Sequence, residues 1–211
     1  MLDILFQGGV VLIPIIALSV FGLAVIIERL VYFLKIKEPR SDLAGYTMGL
    51  LRKGYLDAAF RELRRKRSPE ASVILAGLEA NEVREALIEE VKTRMESQAV
   101  RTLSDVEKNV PYLASVANIA TLLGLFGTVT GMIVSFLNLK ISGAPDPAVL
   151  AGGISQALVT TAAGLGVAIP CLLFYHIYTQ IANRLATRME IAAAELSAFL
   201  SERERDGARD R

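Results

Sequence analysis

Apolar positions in this chain gather into three long blocks, with a charge-rich stretch between the first and the second. Ile4 to Ile27 is an uncharged run of 24 residues, and Asn109 to Leu139 and Pro147 to Asn183 contain no Asp, Glu, Lys or Arg. At 1.5 Å rise per residue the second and third blocks make helices of about 46 and 55 Å, against about 30 Å of bilayer hydrocarbon. All three can span a membrane. The first is too long for a signal-peptide core, lacks a preceding positive charge and is followed by no small-residue cleavage site, so it is expected to be a retained transmembrane helix reaching about Leu34.

Between the blocks the pattern changes to amphipathic. Ser41-Asp42 can cap a helix ending near Gly54, Asp57 to Lys66 makes another, and Ser68-Pro69 is an N-cap followed by proline at the first helical position. From Asn81 onward, Leu87, Val91, Met95, Ala99, Leu103, Val106 and Val110 recur every three or four residues, which is one face of a long helix without a breaker before Pro111. Leu185, Met189, Ala192, Leu196 and Leu200 repeat the spacing after the third block. The second and third membrane helices are therefore expected to extend well beyond the bilayer, with residues from Glu202 to Arg211 fraying.

Charge orients these elements. Residues 35–108 hold 15 Lys/Arg and 13 Asp/Glu, while Asp3 is the one charge before the first block. Arg29, Lys35, Lys37 and Arg40 follow that block, which places its N-terminus outside and its C-terminus in the cytoplasm. The expected fold is an all-α integral membrane protein. Residues 1–34 form the first transmembrane helix, 35–108 a cytoplasmic helical domain, 109–140 the second span, 141–147 a short outer turn, 148–183 the third span, and 184–211 a cytoplasmic helix and tail. A hydrophobic fraction of 53% and a mean hydropathy of +0.44 agree with a membrane protein. The net charge of +1 gives no nucleic-acid reading. The single Cys171 lies in an apolar run and is expected to be buried and inert.

Within the second block Asn118, Thr121, Gly124, Thr128, Gly131, Ser135 and Asn138 are spaced by three or four and share a helix face. In the third, Gly153, Ala157, Thr161, Gly164 and Ala168 make a second face, with Gln156 and Thr160 beside it. Such stripes can mean close helix packing, with hydroxyls bonded to carbonyls one turn back. They can also mean a polar lining for a pore or a partner helix, because hydroxyls donate and accept hydrogen bonds without holding a charge. Other chemistry is absent: the sequence holds no metal cluster, phosphate loop or nucleophile motif, and His176 stands without a Ser or carboxylate on a matching face. Glu28 and Arg29, at the inner end of the first span, point about 100° apart and need not pair; they can bridge to a neighbouring subunit or mark a cytoplasmic proton mouth. The basic run Arg61, Arg64, Arg65, Lys66 and Arg67 can meet anionic lipid or stand as a solvated face beside Glu62 and Glu70.

The run Gly124-Leu-Phe-Gly-Thr128-Val-Thr-Gly131-Met, followed by Gly153-Ile-Ser-Gln156-Ala-Leu-Val-Thr-Thr161-Ala-Ala-Gly164-Leu and Ala168-Ile-Pro170, resembles the signature of the ExbB/TolQ/MotA proton-channel family, closest to the ExbB and TolQ branch. The first-span Glu28-Arg29-Leu30 extends the likeness. The resemblance implies a homopentamer in a bacterial inner membrane, surrounding an ExbD/TolR-like single-span partner whose transmembrane aspartate carries the proton, with a TonB/TolA-like or other envelope effector downstream. It implies no bound cofactor and no enzymatic activity. Thr128 and Thr161 match the family's pore threonines, and Thr160 joins them as a candidate for the ion pathway. Thr121, Gly124, Gly131, Ser135, Ala157 and Gly164 are candidates for lining the pore or the partner helix. Gln156 stands where the family has glutamate, and an amide cannot take up or release a proton. A non-conducting scaffold that clamps partner helices, or a sodium-driven stator, would show the same stripes.

Overall fold

The computed structural model describes residues 9–36, 43–66, 68–84, 88–142 and 147–209. These residues are helical apart from short turns and divide into two compact units, one of residues 1–30 with 109–178, the other of residues 31–108 with 179–211. Seven helices follow in order: α1 (Leu12–Lys35), α2 (Leu43–Arg52), α3 (Leu56–Lys66), α4 (Pro69–Arg84), α5 (Ile88–Glu107), α6 (Val110–Ser142) and α7 (Pro147–Arg209). By length and composition α1, the α5–α6 stretch and α7 each contain a segment able to cross a membrane.

In the first unit each spanning helix buries one narrow face. Helix α1 buries Leu12, Ile15, Gly22, Val25, Ile26 and Arg29, while Ile13, Val20, Leu23 and Leu34 are exposed. Broad apolar exposure of this kind is costly in water and costs nothing in hydrocarbon, where the tails are as apolar as leucine. The three spans meet near Gly22, where an added Cβ would lie 2.7 Å from Cys171 Sγ on α7 and 3.3 Å from a Val116 methyl on α6. Cys171 is buried there, as its apolar surroundings in the sequence lead one to expect. Tyr178, also buried, donates its hydroxyl to the Ile26 carbonyl at 2.9 Å, so its polar end is satisfied by α1.

Two ends of the spans differ from the sequence expectation. The apolar run begins at Ile4, but the described chain is a turn at residues 9–11 and becomes helix only at Leu12, with Gly9 at φ +64° and its carbonyl accepting from Leu12 N at 3.1 Å. Glycine adopts this left-handed conformation without steric cost, and the helix starts after it. At the other end α6 runs to Ser142, two residues past the expected boundary at residue 140. The turn expected at residues 141–147 lies mostly on residues 143–146, outside the described residues, as do residues 1–8 and the Ser41-Asp42 cap.

The second unit is a small helical bundle. Leu43, Met48 and Leu51 of α2, Leu63 of α3, Ile74 of α4, Val91 and Met95 of α5, and Met189 and Leu196 of α7 form one buried cluster. Gly77 of α4 permits the closest approach, since a Cβ there would sit 2.7 Å from both Leu196 Cδ2 and Met95 Sδ. The caps follow the sequence. Ser68 Oγ accepts from Ala71 N at 3.2 Å ahead of Pro69, the first residue of α4. Gly54, at φ +80°, ends α2 with two bonds, its own N–H to the Leu51 carbonyl and Tyr55 N–H to the Leu50 carbonyl, both 3.0 Å, the pattern of a Schellman motif. A second cluster joins Val106, Ala182 and Leu185 with Tyr32, Phe33 and Ile36.

The long amphipathic helix expected to run unbroken to Pro111 is two helices. α5 ends at Glu107, Lys108-Asn109 form a turn, and Asn109 takes φ +64°. Pro111 forces this, because its ring would clash with the carbonyl four residues earlier in a continuous helix, whereas the first turn of a new helix accepts it. Asparagine is among the few side-chain-bearing residues that enter the left-handed region readily. Pro170, by contrast, sits inside α7, a helix of 63 residues that continues past it and through the charged segment expected to fray.

Candidate helix-pair seam and inner-end cluster

Small residues bring α6 and α7 together as an antiparallel pair with backbone against backbone. A Cβ on Gly164 would lie 2.5 Å from the Ala120 carbonyl oxygen and 3.0 Å from Gly124 Cα; one on Gly131 would lie 3.0 Å from Ala157 Cβ and 3.2 Å from the Gly153 carbonyl oxygen. Ser135 Oγ occupies the space a Gly153 Cβ would need, and the Thr160 side chain occupies that of Gly127. The seam therefore runs Ala120, Gly124, Gly127, Gly131, Ser135 on α6 against Gly164, Thr161, Thr160, Ala157, Gly153 on α7. Larger side chains at these positions would hold the backbones apart.

This geometry divides the candidate residues. Gly124, Gly131, Ser135, Ala157 and Gly164, read from the sequence as possible lining, are consumed inside the chain's own helix pair. Thr160, placed beside the small-residue face by its spacing, is instead at its centre, 1% exposed, with its hydroxyl on the Ala157 carbonyl at 2.8 Å. Gly127 belongs to the seam and was missed; its spacing of three from Gly124 and four to Gly131 was the available signal. Thr121 and Asn118 are exposed and Thr128 partly so, on the flank of the seam rather than within it.

The hydroxyls are tied to backbone carbonyls. Thr121 donates to Ala117 O at 2.9 Å, Thr128 to Leu125 O at 2.6 Å and Ser135 to Gly131 O at 2.8 Å, each within α6. Thr161 differs, because its hydroxyl donates across the seam to Gly124 O at 2.9 Å. Donation by the hydroxyl leaves its oxygen lone pairs available as acceptors. Gln156 is partly buried, and its amide end occupies the space that a side chain on Gly9 would take. Lys140 is the one Asp, Glu, Lys or Arg between Val110 and Lys140 on α6, and Pro147 to Asn183 of α7 has none. Among the described residues no group of His, Cys, Asp and Glu could hold a metal ion.

At the C-terminal end of α1 the adjacent Glu28 and Arg29 pair, a contact that their separation of about 100° left open. Arg29 Nη2 donates to Glu28 Oε1 at 2.7 Å, with Arg29 3% exposed and Glu28 turned half outward. Long side chains bridge the gap that the Cα vectors leave. Asn109 Nδ2 donates to the other oxygen, Oε2, at 2.8 Å. The basic run on α3 is absorbed locally: Arg64 reaches Glu79 at 3.5 Å, and Arg65 and Lys66 reach Glu62 at 2.9 and 3.8 Å. Its hydrogen bond from Arg65 holds the Glu62 carboxyl below the usual carboxylate range. This favours a solvated face over a lipid-binding one; Arg67 lies outside the described residues.

Comparison with known proteins agrees with the motifs on α6 and α7. Residues 65–191 match the MotA/TolQ/ExbB proton channel family. An ExbB-like protein of Synechocystis sp. is 30% identical over 210 residues, 96% of this chain and 80% of that protein. The Tol-Pal system protein TolQ of Haemophilus influenzae is 34% identical over 118 residues, 56% of this chain and 49% of TolQ. The biopolymer transport protein ExbB of Salmonella typhimurium is 35% identical over 148 residues, 60% of this chain and 61% of ExbB. With three candidate spans, a glycine and threonine seam between the second and third, and ExbB and TolQ relatives, the chain belongs to the MotA/TolQ/ExbB proton channel family, in its ExbB/TolQ branch.

Proposed function

We propose that this chain is a subunit of a motor driven by the proton-motive force. Five copies surround an ExbD/TolR-like single-span partner in a bacterial inner membrane and pass work to a TonB/TolA-like or other envelope effector. The observation that carries this reading is the neutral seam flanked by threonines: α6 and the Pro147 to Asn183 part of α7 supply hydroxyls but no acid, so the proton carrier comes from outside these segments. Protons crossing hydrocarbon move along ionisable groups. An aspartate on the partner helix supplies one, with Thr128 and Thr161 of successive subunits positioning it and Gln156 completing the pathway as a neutral hydrogen-bonding group, while Thr160, buried in the seam, backs them from within the helix pair. Thr121 faces the partner helix, and the glycines and Ala157 set the helix spacing. The orientation is N-terminus out, with Glu28 and Arg29 at the cytoplasmic mouth, and residues 35–108 and 184–211 cytoplasmic.

A proton falling through about 150 mV releases about 3.5 kcal/mol, enough to shift a two-state packing equilibrium about 300-fold. The test is proton flux in vesicles containing this chain and its single-span partner. Flux that disappears on changing the partner's transmembrane aspartate to asparagine supports the motor, whereas a complex that assembles without flux supports a scaffold. Dependence on sodium instead of pH gradient would favour a sodium-driven stator.

A further inference from the structure

Asn109 is the one residue at the inner-end cluster that no motif predicts, and two separate features of the structure require asparagine there. Its backbone lies at φ +64°, which non-glycine residues avoid, and it forms the turn between α5 and α6. Its side-chain amide donates to Glu28 Oε2 at 2.8 Å, 81 residues away in sequence, while Arg29 holds Oε1 at 2.7 Å. Each carboxylate oxygen thus has its own donor. One donor alone would leave the carboxylate free to turn about its terminal torsion, which is broad and roughly two-fold; two donors from opposite sides fix its plane.

We infer that Asn109 is a positioning residue for Glu28, holding the carboxylate in one orientation at the inner end of α1; this rests on the assignment of Glu28 to the cytoplasmic mouth. Glycine meets the backbone requirement and lacks the donor. Aspartate tolerates the turn but sets a second carboxylate against Glu28, and alanine meets neither need. Glycine therefore separates the hydrogen bond from the turn.

The experiment is a double-mutant cycle of Asn109→Gly and Glu28→Gln in the complex with the single-span partner, reading proton flux and thermal unfolding side by side. Asn109→Gly is expected to lower the unfolding temperature by a few degrees and to lower flux about tenfold, the effect of one hydrogen bond to a charged group. In the Glu28→Gln background the same change is expected to lower flux no further. A loss of flux that multiplies fully with that of Glu28→Gln overturns the inference, as does wild-type flux in either single variant. If the wild-type complex itself carries no proton flux, the motor reading fails, and the unfolding cycle decides the inference instead. Coupled shifts in unfolding temperature then support the clamp, and additive shifts overturn it.

Discussion

The Thr161 hydroxyl on α7 donates to the Gly124 carbonyl on α6 at 2.9 Å, whereas Thr121, Thr128 and Thr160 donate to carbonyls of their own helices. Thr161 is thus part of the joint, and its oxygen keeps lone pairs able to accept a further hydrogen bond. Thr161→Val keeps the shape and removes the hydroxyl. It is expected to lower the stability of the helix pair by about 1 kcal/mol and to abolish most proton flux in reconstituted vesicles. Thr161→Ser should keep both; full flux in the valine variant would remove Thr161 from the pathway.

Gly164 and Gly166 lie two residues apart on α7 and predict opposite outcomes for the same substitution. A Cβ at Gly164 meets the Ala120 carbonyl oxygen at 2.5 Å and Gly124 Cα at 3.0 Å, backbone atoms that cannot rotate aside, while nothing lies within 4 Å of one at Gly166. Gly164→Ala should cost about 1–3 kcal/mol through overpacking. Gly166→Ala should be neutral or stabilising by up to about 1 kcal/mol, since alanine is the better helix former. Thermal unfolding in detergent separates them.

Gly9 and Gly54 both hold positive φ, at +64° and +80°, but in different surroundings. Gly54 has open space around it, and Gly9 faces the Gln156 amide. Alanine at position 54 should cost about 1–2 kcal/mol from backbone strain alone, and asparagine, which tolerates this region, should recover most of that. At position 9 asparagine should recover nothing, because the collision with Gln156 persists. Equal recovery at both sites in an unfolding assay would mean that Gln156 does not press on Gly9.

On α3, Arg65 donates to Glu62 and lowers the carboxyl's pKa. A depressed pKa means stability that is present above the unfolded-state value and disappears as pH falls through the folded-state value. Arg65 is exposed and Glu62 only partly buried, so the effect is small and screened by salt. Glu62→Gln should lower the unfolding temperature slightly at neutral pH and low salt, with the difference vanishing in acid and at high ionic strength. A difference that survives 1 M salt would point to packing rather than charge.

Much of this architecture was legible because the signals were local. Charge-free length marks the spans, Ser68-Pro69 marks the start of α4, and Gly54 marks the end of α2. The break at Asn109 was not, since the apolar spacing passes through it undisturbed and the proline that enforces it stands two residues later. Within the seam, sequence spacing identifies a small-residue face but not which residue of a neighbouring pair turns inward. Thr160 and Thr161 are 100° apart, and only the opposing Gly127 and Gly124 decide that the first is engulfed and the second bridges. The Glu28–Arg29 pairing was left open because Cα directions alone ignore the reach of long side chains.

Where α6 meets α7, much of the contact surface is main chain: carbonyl oxygens and Cα atoms, with few torsions to adjust. Side-chain interfaces yield to a small shift by changing rotamers, and this one has little of that compliance. Its register is stepped, and a slide of one helix along the other meets the next glycine only after about a turn, 5.4 Å. Short of such a step, close backbone contact ties the movement of one helix to that of the other.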